Sequence, residues 1–367
     1  MATERSTTDA RLTYALYGAL FGLAFPVMAT LLDVYARDLG MNLAGIITAQ
    51  QTQPLHWMID TAPIFLGLFA MIAGSKQQEV LEINAGLEDT VQQRTSMLLE
   101  QNEQLRAMQD ELQVSMERIS QSINYAQRIQ DAIITNTAEM KAAFPDSFIM
   151  FRPRDVVSGD FPWYLEKNGY HYVAAVDCTG HGVPGAFMSL IGYFLLSRIV
   201  KEQGITETGD ILCALHLEVV KVLNQDSDQQ VHDGMDIALC RIDRANGEIQ
   251  YSGAGNPVYH ISANELTEYK ADVWSIGGTQ YRKRCPYRAQ TFSFKQGDVI
   301  SMFSDGITDQ FSNDGSAKFG YSRIRTKLLE VENASLKEVG TDFEEMMEQW
   351  MGDHRQMDDM LLIGVRL

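Results

Sequence analysis

Tyr172-Val173-Ala174-Ala175-Val176-Asp177-Cys178-Thr179-Gly180-His181-Gly182 passes from an unbroken apolar run into an acid and then a glycine-rich turn. The same join recurs where Asp298-Val299-Ile300-Ser301-Met302-Phe303 gives way to Ser304-Asp305-Gly306. Ser158-Gly159-Asp160 lies upstream of both, and Asp358-Asp359 closes the set near the C-terminus. Short apolar runs bounded by turn residues read as buried strands, so these acids fall at strand ends and can gather at one rim of a sheet. Oxygen ligands without a His/Cys cluster suit Mg²⁺ or Mn²⁺, which keep bound waters and activate one as a nucleophile. Any one Ser-Asp-Gly alone is more often a turn than a ligand, and the weight rests on the ordered set.

Taken in order, Phe151-Arg152-Pro153, Ser158-Gly159-Asp160-Phe161, Val176-Asp177-Cys178-Thr179-Gly180-His181-Gly182-Val183-Pro184-Gly185-Ala186-Phe187, Gly255-Asn256-Pro257, Ser304-Asp305-Gly306-Ile307-Thr308-Asp309 and Asp358-Asp359 form one series. The series resembles the metal-dependent serine/threonine phosphatases of the protein phosphatase 2C superfamily, in the stage II sporulation protein E branch, over roughly Phe144 to Leu367. The resemblance implies an α+β fold, a two-sheet antiparallel β-sandwich flanked by helices, with two Mn²⁺ or Mg²⁺ ions at one edge. It makes Asp177 the bridging acid, with the backbone carbonyl of Cys178 as an added ligand. Asp160 becomes the acid of the second ion, and Asp305 and Asp358 acids of the first. Of the Asp358-Asp359 pair the resemblance favours Asp358.

The residue types suit this chemistry on their own account. Hydrolysis of a phosphate monoester needs hydroxide at neutral pH and cancellation of phosphoryl charge, which two bridged metals supply without a covalent nucleophile. Gly180 and Gly182 allow close backbone approach, and Pro184 suits the first turn of a helix through Ala186 to Val200. Pro162 and Met360-Leu361 depart from the family pattern without removing a ligand. No side-chain general acid is assigned, because His181 is equally explained as a turn residue. Arg152 and Arg154 are candidates for holding substrate phosphate, against a reading as solvated strand-end charges. Asp233 and Asp236 are read as structural.

Composition narrows the classes further. A formal charge of -18, from 48 acidic and 30 basic residues, argues against nucleic-acid binding. Cys178, Cys213, Cys240 and Cys285 are scattered without metal-type pairing, which fits a reduced cytosolic domain better than a disulfide scaffold.

The N-terminal third is of another kind. Leu12 to Leu32 carries no charge and is long enough at helical rise to cross about 30 Å of hydrocarbon. A second apolar run, Leu55 to Gly74, has His56 and Asp60 in its first turns, placed at an interface or paired within the membrane. The second run and the lack of a small-residue cleavage site favour two anchored helices over a signal peptide or buried soluble helices. Arg5, Arg11 and Lys76 flank the pair while only Arg37 lies between, which puts both termini in the cytoplasm.

From Lys76 to Thr135 a proline-free polar stretch repeats Val91, Leu98, Leu105, Leu112, Ile119, Ala126 and Ile133 every seven residues. The companion series Thr95, Asn102, Gln109, Met116, Ile123 and Gln130 is mixed, which suggests a marginal parallel coiled coil with Asn102 setting register. The alternative is a single amphipathic helix lying on its own domain. The expected organisation is therefore a membrane anchor over 1–75, a coiled-coil signalling helix over 76–135 and a phosphatase domain over 136–367. The expected protein is an inner-membrane, multi-pass homodimer that dephosphorylates phosphoserine or phosphothreonine on a regulatory protein in the cytoplasm. The resemblance suggests an anti-sigma-factor antagonist as that substrate. The competing class is a catalytically weak scaffold that signals through its coiled coil.

Overall fold

The structure, a computed structural model, describes residues 10–134, 137–225, 233–278, 287–332 and 334–367. The chain divides into two compact units, Met1–Gln113 and Val114–Leu367. The N-terminal unit holds α1 (Ala10–Ala36), α2 (Leu43–Thr52), α3 (Pro54–Ile59) and most of α4 (Ala62–Ile134).

Small residues let α1 and α4 approach closely. A Cβ added to Gly18 would stand 2.5 Å from that of Ala70, and one on Gly22 would stand 2.5 Å from the Pro63 Cα. The second apolar run is not one span. It breaks at Asp60-Thr61, where Asp60 caps α3 and α4 begins one residue beyond Thr61. His56 is buried and its Nε2 lies 3.4 Å from Asp33 Oδ2. Arg37 stands 3.2 Å from the same carboxylate and donates to Thr52 at 2.8 Å. Among the described residues three helical stretches are long and apolar enough to cross a membrane: Arg11–Ala36, one within Pro54–Ala143, and Gly182–Lys201. The third spends its apolar face on the C-terminal core.

The C-terminal unit is a two-sheet antiparallel sandwich between helical layers. One sheet runs β1 (Ser147–Arg152), β11 (Met360–Arg366), β10 (Val299–Phe303), β6 (Val258–Ser262) and β7 (Glu265–Tyr269). The other runs β2 (Phe161–Lys167), β3 (Tyr170–Cys178), β4 (Gly234–Asp243), β5 (Glu248–Ala254) and β9 (Gln290–Ser293), with β8 (Ile276–Gly277) beside β4. Strand period explains the layers. Val173 and Ala175 face the other sheet, packing with Ile300, Met302, Leu361 and Ile363. Tyr172, Ala174 and Val176 face α6 (Gly182–Lys201) and α7 (Thr208–Val222). On the far side Val299, Phe303 and Leu362 meet α9 (Gly320–Leu328) and α10 (Leu336–Met351). Strands covered on both faces are apolar throughout, which is why the runs read without alternation. Pro162 is accommodated because β2 is an edge strand.

Cys178 and Cys240 are free and buried, whereas Cys213 is disulfide-bonded, a departure from the all-reduced expectation. Cys285 lies outside the described residues. The three apolar clusters, not cross-links, still supply the core.

Candidate metal centre at the sheet edge

Antiparallel pairing gathers the acids. In one sheet Phe161 pairs with Val176, so Asp160, just ahead of β2, comes beside Asp177 near the end of β3. Asp177 also stands directly opposite Asp236 on β4. In the other sheet Phe303 pairs with Leu362, so Asp305, just past β10, meets Asp358, just ahead of β11. The two sheets meet where the Asp305 N–H donates to Asp177 Oδ2 at 3.3 Å.

Close backbone packing shapes this edge. A Cβ on Gly185 would lie 2.3 Å from the Gly180 carbonyl oxygen, and one on Gly159 would lie 3.2 Å from that of Cys178. Gly180 and Gly182 take φ of +85° and +63°, open to glycine at little cost. Thr179 ties the turn to β4 in both directions, donating its N–H to the Gly234 carbonyl at 3.0 Å and accepting from the Gly234 N–H at 3.1 Å.

Burial and mutual repulsion oppose ionisation here. Burial, reinforced by the Asp177 charge, raises Asp160 well above the usual carboxylate range. Burial and the Asp305 charge do the same for Asp177, while Asp305 is raised by burial and then by Asp358. Burial raises Asp236 as well. Asp160 Oδ2 and Asp236 Oδ1 are buried without a hydrogen-bond partner. Unpaired buried carboxylate oxygens are costly unless a cation or proton compensates them, so this donor set fits hard divalent ions. Among the described residues no ready-made cage of His, Cys, Asp or Glu closes on one point.

The two adjacent acids before β11 differ in kind. Asp359 is 2% exposed, and its oxygens accept from the Arg154 and Gly159 amides, each at 2.7 Å. Asp358 carries the charge that acts on Asp305. Cys178 is fully buried, and burial together with Asp160 pushes its thiol well up, leaving its carbonyl as the useful group. Asp236, read from sequence as structural, belongs instead to the acidic edge; Asp233 does not, and its carbonyl accepts from Gln225 at 2.6 Å. The missed signal was that Asp236 also stands at the boundary of an apolar strand, Ile237-Ala238-Leu239-Cys240. Arg152 pairs with Glu348 at 3.4 Å, while Arg154 is held by its amide in the Asp359 loop. His181 Nδ1 lies 2.7 Å from Asp155 Oδ2, so the histidine is oriented by a carboxylate on the neighbouring loop.

Residues 167–367, more than half of the chain, match the family described as Stage II sporulation protein E. The chain belongs to the stage II sporulation protein E family. Its fold is similar to the SiaA-PP2C domain of Pseudomonas aeruginosa, with a TM-score of 0.63 and 27% identity over 69% of this chain and 98% of that one. The phosphoserine phosphatase RsbU of Bacillus subtilis is 25% identical over 225 residues, 60% of this chain. The chain spans about three fifths of that relative's length, 61%.

Proposed function

We propose that this protein is a membrane-anchored phosphoprotein phosphatase that hydrolyses phosphoserine or phosphothreonine with two Mn²⁺ or Mg²⁺ ions. The observation that carries the reading is the convergence of Asp160, Asp177, Asp305 and Asp358 at one sheet edge, with a buried carboxylate oxygen of Asp160 left unpaired. Family membership and the similarity to a phosphoserine phosphatase support it.

When bound, the ions supply hydroxide at neutral pH and offset charge on the phosphoryl group. Asp177, between Asp160 and Asp305, is suited to serve both ions; the Cys178 carbonyl adds an oxygen beside it. Asp305 and Asp358 would hold the first ion and Asp160 the second. Asp236 lends a further negative charge opposite Asp177. Asp359 has both oxygens committed to backbone amides, which favours Asp358 as the ligand and Asp359 as the brace of the loop.

The two apolar stretches of the N-terminal unit anchor the chain in the inner membrane, with the sandwich domain in the cytoplasm by the distribution of Arg and Lys. Val91, Leu98, Leu105, Leu112 and Ile119 are between 54% and 61% exposed, an apolar seam that a second copy of the helix would cover. The substrate is a regulatory phosphoprotein, such as an anti-sigma-factor antagonist.

Turnover of a phosphoserine peptide by the purified chain tests the reading. It should require Mn²⁺ or Mg²⁺, vanish with chelator, and fall furthest in Asp177→Asn, beyond the roughly 10- to 100-fold typical of losing a supporting residue. Full activity of Asp177→Asn would sink the assignment.

A further inference from the structure

We propose that Gln130, in the last turn of α4, is a positioning residue for Asp160. The proposal rests on Asp160 being a metal ligand. In the heptad pattern Gln130 closes the polar companion series and looks like a weak seam position. The structure gives it other work. It is only 7% exposed, and its side chain enters the C-terminal unit rather than facing outward.

There the carboxamide closes on one residue from both sides. Gln130 Nε2 donates to the Ser158 carbonyl at 2.6 Å, and Gln130 Oε1 accepts from the Ser158 N–H at 3.1 Å. The same nitrogen donates to Ser189 Oγ on α6 at 2.8 Å. A planar amide with one acceptor and two donors is the side chain able to satisfy a peptide N–H and C=O together, as a neighbouring strand would. Ser158 passes the constraint on, since its Oγ accepts from the Asp160 N–H at 3.0 Å. Between them Gly159 donates to Asp359 at 2.7 Å. The Ser158–Asp160 loop is therefore held by the linker helix on one side and by Asp359 on the other. Asp160 itself presents an oxygen with no hydrogen-bond partner among the described residues, and this backbone holds the residue that carries it. Supporting contacts of this kind orient ligands, and a displacement of the helix end would be delivered to Asp160.

Mn²⁺ binding to the full-length chain in detergent, followed by loss of the free-ion paramagnetic resonance signal, tests this without relying on turnover. Gln130→Met keeps length and apolar volume but strips the Ser158 peptide groups of partners, and should weaken binding about 10- to 100-fold. Gln130→Glu retains the acceptor for the Ser158 N–H and should fall between Gln130→Met and wild type. Ser189→Ala removes the flanking contact and the Ser189 bond to the Ala186 carbonyl but leaves both Ser158 bonds in place, and should bind close to wild type. Turnover of the Gln130 variants should recover its plateau at high Mn²⁺, because the ligands themselves are intact. A cooperative melt in chelator identifies the folded variants; if Gln130→Met fails it, Gln130→Glu decides. Wild-type affinity in a folded Gln130 variant would overturn the proposal. Asp160→Asn separates the two levels. Weak binding there with normal binding in the Gln130 variants removes the clasp alone, whereas normal binding by Asp160→Asn removes the metal reading beneath it.

Discussion

Asp359→Ala and Asp358→Ala, neighbours in sequence, should have opposite signatures. Asp359 satisfies the buried amides of Gly159 and, half-buried, Arg154, each at 2.7 Å, so truncation leaves two donors without acceptors. Each orphaned buried donor costs about 1–3 kcal/mol, giving about 2–6 kcal/mol in all, with the lower half expected because water can reach the Arg154 amide. In a domain of this size that is a fall of about 4–16 °C in melting temperature for the lower half of the range. Asp358→Ala orphans one donor only, the Asp359 N–H, from which Asp358 Oδ1 accepts at 2.9 Å. It relieves a charge that acts on Asp305, which offsets part of that loss, so in chelator it should melt closer to the wild type than Asp359→Ala does. The assay is thermal unfolding of both variants in chelator, followed by Mn²⁺ titration. Asp358→Ala should lose the metal-induced rise in melting temperature while Asp359→Ala, once folded, retains part of it. A wild-type melt for Asp359→Ala, or equal destabilisation by both variants, would refute the division of labour.

Further outcomes follow from the same contacts. Asp160 and Asp177 are pushed well above the unfolded carboxylate value by burial and then by neighbouring acids, so the folded metal-free protein holds protons that the unfolded chain releases. Their contribution is present below the unfolded value and lost as pH rises through the folded values. Melting temperature in chelator should therefore decline from mildly acidic toward alkaline pH, less steeply in Asp160→Asn, and the rise produced by Mn²⁺ should grow; an unchanged slope in Asp160→Asn would count against the coupled acids. Leu105→Ala with Leu112→Ala should convert the chain to a monomer in analytical ultracentrifugation, since each fully buried leucine is worth about 2–5 kcal/mol. A wild-type chain that is monomeric at every concentration would dispose of the dimer.

Much of the fold was legible because burial leaves a local mark. The runs Tyr172 to Val176 and Val299 to Phe303 are apolar but for the buried Ser301, since each strand is covered on both faces, and no partner need be known to read that. Asp160, Asp177, Asp305 and Asp358 stood out because each interrupts or borders such a run. The linker helix likewise declared itself through its seven-residue repeat. The break at Asp60-Thr61 was less visible, because a helix end is decided by capping and packing more than by mean hydropathy.

Register, however, belongs to the assembled sheets. Asp236 joins the acidic edge only because β4 aligns it opposite Asp177, and a slip of one residue would turn it to the other face. Asp358 and Asp359 are chemically identical neighbours, and extended backbone sends successive side chains to opposite sides. Which one braces a loop depends on where the Arg154 and Gly159 amides arrive from, 205 and 200 residues away along the chain. Gln130 is the same case: its composition and spacing marked a polar seam position, and only the docking of the helix end beside Ser158 turned that amide inward. Local sequence determined which segments became strands and helices and which residues carried the charge, because those properties depend on short-range patterning. The pairing of distant segments decided which oxygens meet a metal and which hold the backbone, because a hydrogen bond is satisfied by position in space and not by distance in sequence.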